Sequence, residues 1–268
     1  MRTAGARRMV WLAMTCLALA ACGDEPAGTP ADTTAEPGDR YTTTATVIEA
    51  PGHEPQLCTS VAESNPPQCG EGIEVVGWYW AGLDGSEALE GTTWGEYVVI
   101  GIYDGERFTI TEPPTPYVAP EPTEPPPAST PCPPPPGGWG VVDAASTTYE
   151  AQDAAVAYAE AQADYVAVWV DSSILNVRFT GDLERHERAL RAIWGGALCV
   201  SSGERTAAEL ESLRAALHDE LDPLGSSVDE RAGQVILQVI VDDGIQAELD
   251  QRYGPGLVRV HALLTPVN

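Results

Sequence analysis

The residue types that carry catalysis or bind metal ions are sparse in this sequence and form no familiar constellation. His186-Glu187 lacks the second histidine of the zinc motif H-E-x-x-H, and Gly225-Ser226-Ser227 has no partner that spacing alone identifies. No G-x-S-x-G elbow, P-loop or G-x-G-x-x-G loop is present. We therefore predict no catalytic residue, no cofactor and no metal site. A serine hydrolase is the alternative, because the members of a triad meet only in the folded chain.

The remaining polar stretches have structural interpretations. His53 and His261 stand at no metal-ligand spacing. His186 falls on the apolar face of a predicted helix, where we expect a packing histidine. His218 lies near a predicted helix C-terminus, where a positive charge is favourable. Asp242-Asp243-Gly244 is too short for a calcium loop and predicts a cap for the helix that follows.

The N-terminus carries the most specific signal. Arginines precede the apolar run Met9–Ala20, which is shorter than the roughly 20 residues that span a bilayer and predicts a signal peptide over 1–21. The stretch Leu19-Ala20-Ala21-Cys22 resembles the lipobox of bacterial lipoproteins. This resemblance implies a lipid on Cys22, cleavage just before it, and anchoring to the extracytoplasmic face of the cell membrane. An ordinary cleavage site beside a cysteine is the alternative.

Four further cysteines follow, namely Cys58, Cys69, Cys132 and Cys199. An even number in an exported chain predicts disulfides, and four cysteines allow three pairings. We favour Cys58 with Cys69, across a turn-rich loop around Pro66, which leaves Cys132 with Cys199. A zinc site is the alternative, although no C-x-x-C pair or neighbouring histidine supports it.

Charge excludes two classes of partner. The formal net charge is −26, and all 14 basic residues are arginine. Nucleic acid is excluded because phosphate binding needs clustered basic side chains. Binding flat on anionic lipid is excluded for the same reason. We interpret the acidic surplus as solubility outside the cell rather than cation binding.

Composition divides the mature chain into four segments. We predict a lipidated disordered tether (22–40), a small β domain (41–112), a Pro-rich linker (113–139) and an α+β domain (140–268). Residues 113–136 contain 13 of the 23 prolines, which is typical of a semi-rigid spacer. SH3-type ligand sites are the alternative, but no basic residue flanks these prolines.

The β domain predicts a small barrel of OB-like type. Threonine- and valine-rich runs recur through it, and two of them flank Asp104-Gly105, a favoured hairpin turn. A core this small depends on a staple such as Cys58–Cys69. Trp78, Trp80 and Trp94 are predicted to fill the core, with a ligand-stacking surface as the alternative.

The α+β domain alternates helical and strand patterns. Helices are predicted over 147–162, from 182, from the capping box Thr206-Ala-Ala-Glu209 to Leu221, and over 244–253, with strands over 165–171, 174–179, 197–201, 235–241 and 257–264. Matching residues recur at an offset of 58 early and 59 later, so we predict two strand-strand-helix-strand units in a sandwich.

Two stretches of this domain, Val170–Phe179 and Ser227–Val235, together with the order of elements over 165–264, resemble the pro-region of α-lytic-type and streptogrisin-type secreted serine proteases. In that family the region assists folding of the attached protease and inhibits it. No protease sequence follows here, so the resemblance implies action in trans.

These observations favour a non-catalytic, lipid-anchored binding or scaffolding protein of the cell envelope. Its partners are the membrane, through Cys22, and an extracellular protein. The alternative is a tethered inhibitor or trans-acting chaperone of secreted serine proteases.

Overall fold

The computed structural model describes residues 40–120 and 130–267. The predictions for the signal peptide, for Cys22 and for residues 22–39 of the tether lie outside this range, as does the middle of the Pro-rich segment, residues 121–129. Within the described part the fold is a mixture of strands and helices, dominated by strands. The predicted α+β class is confirmed at this level.

Five strands close into a barrel. They are β1 (Arg40–Glu49), β2 (Gln56–Cys58), β5 (Gly72–Val76), β7 (Thr92–Tyr103) and β8 (Arg107–Ile110). They follow the order β1-β2-β5-β8-β7, and β7 returns to pair with β1 from Arg40↔Ile102 to Glu49↔Thr93. Only the β5–β8 contact among these is parallel.

Alternating side chains build the barrel core. Thr43, Ala45 and Val47 point inward from β1 at every second position, as the pleat of a strand requires. Tyr97 and Phe108 complete a core in which both rings are fully buried.

Glycine is required at one crowded position of the barrel wall. A Cβ on Gly101 of β7 would collide with the Thr109 carbonyl oxygen and the Phe108 ring of β8. The hairpin predicted at Asp104-Gly105 is confirmed, with its turn centred one residue later. The Asp104 carboxylate accepts hydrogen bonds from the backbone N–H groups of Glu106 and Arg107, and this fixes the turn.

The part of the chain that forms the barrel also contains four short strands: β3 (Val61–Ala62), β4 (Gln68–Cys69), β6 (Glu87–Leu89) and β9 (Thr115–Pro116). β3 and β4 pair with each other, while β6 and β9 each pair with β7. The start of the segment predicted as a linker therefore lies against the barrel.

The first ββαβ unit comprises β10 (Tyr165–Asp171), β11 (Ile174–Phe179), α2 (Leu183–Arg191) and β12 (Leu198–Ser202), with α1 (Tyr149–Glu160) packed on it. β10 and β11 are antiparallel, and β12 is parallel to β11. The predicted strands over 165–171 and 174–179 are confirmed residue for residue.

The second ββαβ unit repeats this pairing. It comprises β13 (Gly225–Asp229), β14 (Gln234–Val241), α4 (Ile245–Tyr253) and β15 (Val258–Pro266), with α3 (Ala207–Leu221) packed on it. The capping box at the start of α3 is confirmed: Thr206 accepts from the Glu209 N–H, and the Glu209 carboxylate accepts from the Thr206 N–H.

The two units differ in one turn. Leu175 and Val235 occupy equivalent places, because they pair with Val170 and Val228 on one side and with Leu198 and Val258 on the other. The β10–β11 turn has two residues, Ser172 and Ser173, whereas the β13–β14 turn has four, residues 230–233. The structural offset therefore grows from 58 in the first strand to 60 in the next two.

β15 joins the second unit to the barrel. Beyond its pairing with β14, it pairs with β1 at Tyr41↔Pro266 and Thr42↔Thr265, so the barrel strands and the second unit share one sheet. Thr265 Oγ1 also donates to the Thr42 carbonyl at 3.1 Å. None of the helices in the described ranges has both the length and the apolar character needed to cross a membrane.

Candidate functional site

The predicted disulfides are present. Cys58 is bonded to Cys69 and Cys132 to Cys199, with Cα–Cα distances of 5.3 and 5.7 Å. Across residues 40–120 and 130–267, no group of three or more His, Cys, Asp or Glu side chains is placed to hold a metal ion. The four cysteines therefore do not form the alternative zinc site.

The barrel tryptophans pack largely inward. Trp78 is buried and meets Trp80 and Tyr97 edge-on, with ring centroids 5.1 Å away in both cases. Trp80 is partly buried and donates its indole N–H to Glu49 at 2.6 Å. Trp94 is partly exposed. Trp78 and Trp80 thus belong to the core cluster and its margin, as the sequence predicted, whereas the same prediction for Trp94 was wrong, because Trp94 lies outside this cluster.

His186 is a fully buried, hydrogen-bonded core residue. Its ring stacks on Phe179 with a centroid separation of 3.7 Å. Its Nδ1 lies 3.1 Å from the Tyr158 hydroxyl, and its Nε2 lies 2.9 Å from an Asp164 carboxylate oxygen. This arrangement satisfies both ring nitrogens within the protein. The predicted packing role is confirmed.

The structure pairs Ser226 with a histidine that spacing did not reveal. Ser226 Oγ lies 3.3 Å from His218 Nδ1 and accepts a hydrogen bond from Arg214 Nη1 at 2.9 Å. His218 is exposed, and the contact lies on the surface beside the last turns of α3. A serine and a histidine in contact are two parts of a nucleophilic site, but a buried orienting group for His218 is not among its contacts in the described residues.

A cleft of about 380 Å³ lies between the two ββαβ units, and we call it the arginine cleft. Three loops enclose it: the β12–α3 connection with Gly203, Glu204 and Arg205; the β13–β14 turn with Ala232 and Gly233; and the α4–β15 connection around Pro255. Arg178 reaches it from β11. Both units therefore contribute to one site.

Arg178 is held in place by the longer turn of the second unit. Its Nη1 donates to the Arg231 carbonyl oxygen at 2.8 Å. Its guanidinium lies 5.3 Å from the Trp169 ring centroid, and that of Arg231 lies 5.1 Å from the same centroid. Such cation–π contacts hold a planar side chain against a wall. The two residues that lengthen the β13–β14 turn thus bring Arg231 to the first unit.

Neither arginine that lines the cleft pairs with a carboxylate of the described residues. Arg205 is exposed and makes no hydrogen bond or ion pair there, although its charge contributes to lowering the pKa of the Glu209 carboxyl. Arg178 makes no ion pair there, and its Nε is buried without a hydrogen-bond partner. Other arginines of the chain do pair with acids, including Arg40 with Glu112 and Arg252 with Glu220. The cleft therefore brings two arginines without ion pairs together with one carboxylate, Glu204, on an acidic protein.

Tyr165, at the start of β10, lies in an acidic environment. Burial, together with the nearby carboxylates of Glu230 and Glu160, raises the pKa of Tyr165 well above its ordinary value. The hydroxyl donates to Glu230 at 3.4 Å and stays protonated. The Glu230 carboxylate, in the β13–β14 turn, thereby accepts a hydrogen bond from the first unit.

Sequence reasoning did not identify the arginine cleft. Arg178 and Arg205 come from different elements and carry no mutual spacing signal. The predicted repeat offset gave no hint of it, because it was placed at 58 for Asn176 and Gln234, beyond the turn, where the strand pairing gives 60. What the arrangement offers chemically is anion binding by guanidinium groups rather than bond-making.

Comparisons with known proteins add no name to this site. No protein-family model matches the chain, and neither a curated protein nor a solved structure matches it. The function is therefore argued from the sequence and from the described residues.

Proposed function

We propose that this chain is a non-catalytic protein, lipid-anchored through Cys22 on the extracytoplasmic face of a bacterial membrane, that binds a ligand or partner in the arginine cleft. One observation supports binding above all. Two arginines that form no ion pair in the described residues line a cavity that both ββαβ units build. Residues held ready for a charge that the chain does not supply are typical of recognition sites.

The finer architecture belongs to the same proposal. The closed arrangement of β1, β2, β5, β8 and β7 supports an OB-like barrel. The proline content of 113–139 supports a stiff linker, and Cys132–Cys199 ties its far end to the first unit. The repeated pairing of β10–β12 and β13–β15 supports a sandwich of two strand-strand-helix-strand units.

Anchoring is tested by intact mass and membrane fractionation of the natively expressed protein beside a Cys22→Ala variant. We expect a lipid mass on Cys22 and membrane partitioning for the wild type, and neither for the variant. A wild type that is recovered in the soluble fraction with an unmodified N-terminus would contradict the anchor.

Binding in the cleft is tested by photo-crosslinking in cells. We would place p-benzoylphenylalanine at Ala232, which lines the cleft, and at the matched surface position Glu187 on α2. We expect an adduct at 232 but not at 187, and its loss in an Arg178→Met/Arg205→Met background. Equal adducts at both positions, or none, would contradict cleft binding.

The alternative function is inhibition or folding assistance toward secreted serine proteases. One observation favours it: the two stretches that resemble the protease pro-region fall on equivalent hairpins, β10–β11 and β13–β14. Titrating the full-length Cys22→Ala protein against a panel of secreted serine proteases tests it. No inhibition, and no gain in refolding yield, would exclude it.

A further inference from the structure

We propose that the first ββαβ unit docks a partner protein beside its β10–β11 turn, through a large apolar side chain of the partner that basic residues flank. This inference goes beyond the proposed function, because none of the described residues that it involves lines the arginine cleft. It is carried by an uncharged pocket, by exposed apolar side chains next to the pocket, and by the acids beside them.

The pocket has a volume of about 290 Å³, and we call it the tryptophan pocket. None of its lining residues in the described part of the chain is charged, although charged residues make up 20 % of the sequence. Its side chains supply two indole rings, one isopropyl group and three hydroxyl groups, from Trp139, Val141, Thr147, Ser172, Ser173 and Trp194. The surface that they expose is more apolar than polar. Such a pocket accepts an apolar group rather than an ion.

Two glycines keep the walls of the tryptophan pocket together. A Cβ on Gly195 would collide with the carbonyl oxygen of Asp143, and a Cβ on Gly196 would collide with the Trp194 ring. The backbone N–H groups of Val142 and Asp143 donate to the Gly195 carbonyl oxygen at 2.7 and 3.1 Å. The segment before Asp143 is thereby held against Trp194, so the pocket exists before any partner binds.

The turn at the edge of the pocket is strained. Ser172 and Ser173 both take left-handed conformations, with φ of 50° and 67°. Glycine or asparagine usually occupies such places in a two-residue hairpin turn, because a Cβ makes the conformation costly. The left-handed residue of the matching turn in the second unit is Gly233. Strained residues cluster at recognition sites, and here they place two hydroxyl groups on the pocket wall that glycines could not supply.

Exposed apolar side chains lie next to the pocket. Val141 lines it and Val142 follows, while Tyr149 and Val170 each stand two residues from a lining residue. These four side chains are between 51 % and 85 % exposed. They are four of the nine exposed large hydrophobic side chains of the described residues, so such side chains concentrate here. This concentration beside a pocket is typical of a protein–protein interaction site.

The charges beside these side chains define the partner. Asp143 and Glu150 each follow an exposed apolar residue, and neither forms an ion pair in the described part of the chain. Hydrogen bonds from hydroxyl and backbone N–H groups lower the pKa of both carboxyls, which are therefore ionised at neutral pH. Arg191 contacts the lining residue Gly196 only as a donor to its carbonyl oxygen. The complementary partner carries arginine or lysine on both sides of the apolar side chain that enters the pocket.

The test is an NMR titration of full-length Cys22→Ala protein, followed at the Trp139 indole N–H, which a Trp139→Phe variant assigns. The probes are three acetylated and amidated peptides: Arg-Gly-Leu-Gly-Arg, the acidic Glu-Gly-Leu-Gly-Glu, and Arg-Gly-Gly-Gly-Arg, which lacks the apolar side chain. We expect the first to bind at least about tenfold more tightly than either control, because leucine burial and charge pairing both contribute. Phosphatidylcholine vesicles are titrated in parallel.

Variants locate the site. Val141→Ser should weaken binding of the basic leucine peptide by about fivefold or more, whereas Val118→Ser, at an exposed valine beside the barrel, should leave it unchanged. Glu150→Arg should weaken the basic leucine peptide and tighten the acidic one, which lowers the ratio of their affinities by about tenfold. A gain for the acidic peptide cannot come from unfolding, so the inference stays testable where a variant is destabilised.

Four outcomes overturn the inference. Equal affinity for the basic peptides with and without leucine means that no apolar side chain is recognised. Equal affinity for the basic and acidic leucine peptides removes the charge complementarity. Absence of any shift at Trp139 up to about 10 mM peptide removes the site. Binding of the vesicles without selectivity among the peptides identifies a lipid surface instead. The adduct at position 232 is independent of these results, so the proposed function is judged separately.

Discussion

The first ββαβ unit buries polar side chains beside its apolar core, whereas the second buries none among the residues that the structure describes. Asn176 and His186 are inaccessible in the first unit. The second unit is filled by leucine and valine from α3, β14, α4 and β15. The same pairing pattern is therefore stabilised by apolar packing in both copies, and the first copy adds buried polar side chains and a disulfide.

The difference follows from where each sheet ends. β10, β11 and β12 form a separate three-stranded sheet in the described part of the chain, and its strand β12 is held by Cys132–Cys199. The second sheet continues through β15 into the barrel. A sheet of only three strands has few strand pairings to stabilise it, so a disulfide and buried hydrogen bonds contribute more. In a larger sheet, each strand is also stabilised by pairing with the strands beyond it.

The largest expected effect tests the disulfide of the first unit. Replacing both Cys132 and Cys199 with serine opens a link over 67 residues and should lower the free energy of unfolding by about 4 kcal/mol, because longer closed loops restrict the unfolded chain more. Urea denaturation in the Cys22→Ala background measures the loss.

The matched control is Cys58→Ser/Cys69→Ser, with a separation of 11 residues and an expected loss of about 3 kcal/mol. Hydrogen exchange should show faster amides in β10–β12 for the first variant and in β2–β4 for the second. If the first variant also exchanges amide hydrogens faster in β13–β15, the disulfide stabilises both units, which contradicts the proposed difference between them.

A smaller effect tests the buried polar contacts. His186→Ala should cost about 3 kcal/mol, because it leaves a cavity against Phe179 and removes the hydrogen-bond partner of the Tyr158 hydroxyl. A double-mutant cycle with Tyr158→Phe should give a coupling energy of about 1 kcal/mol.

Leu249→Ala, in α4 of the second unit, is the apolar counterpart and should cost about as much as His186→Ala. It should show no coupling to Tyr158→Phe, since the two belong to different core clusters. If the losses of unfolding free energy in His186→Ala and Tyr158→Phe are simply additive, the hydrogen bond between the two side chains contributes nothing, and His186 stabilises the core only by filling space.

The smallest effect tests the cap of α3 through pH. Hydrogen bonds from the Thr206 backbone N–H and hydroxyl lower the pKa of Glu209 below its ordinary value of 4.5. A carboxyl with a lower pKa in the folded state contributes stability above its unfolded pKa, and loses it as the pH falls through the folded value. Glu209→Gln should therefore unfold at a lower temperature than wild type at pH 7.

That difference should shrink steadily as the pH is lowered through the acid range in thermal unfolding. Glu150→Gln in α1 should behave alike, because hydrogen bonds from its own backbone N–H and from Thr148 lower the pKa of Glu150. Glu187→Gln, whose carboxylate makes no hydrogen bond within the described ranges, is the control. A pH-independent difference at Glu209 would remove the capping explanation.

The sequence predicts this fold best where the signals are local. The strands over 165–171 and 174–179 follow from short apolar runs around a polar pair, and the start of α3 follows from its capping box. Cys58–Cys69 follows from a short loop. Each of these depends on residues that are near one another in the chain.

What the sequence could not supply depends on distant partners. The pairing of β15 with β1 joins Thr42 to Thr265. A local sequence pattern predicts a strand but not the distant strand with which it pairs. The contact of Ser226 with His218 crosses a helix end and a strand start. Arg178 and Arg205 acquire a common cleft only through the position of the β13–β14 turn.

The pairing at the edge of β1 also makes the path of the described chain nearly circular. The Val267 N–H donates to the carbonyl oxygen of Arg40 at 2.9 Å, so the first and last described residues are direct neighbours. A short glycine-serine bridge could join them, with a new opening at the exposed turn after Asp104, and every described strand pairing would be retained. The order of the strands along the chain could therefore be changed without changing which strands pair in the fold.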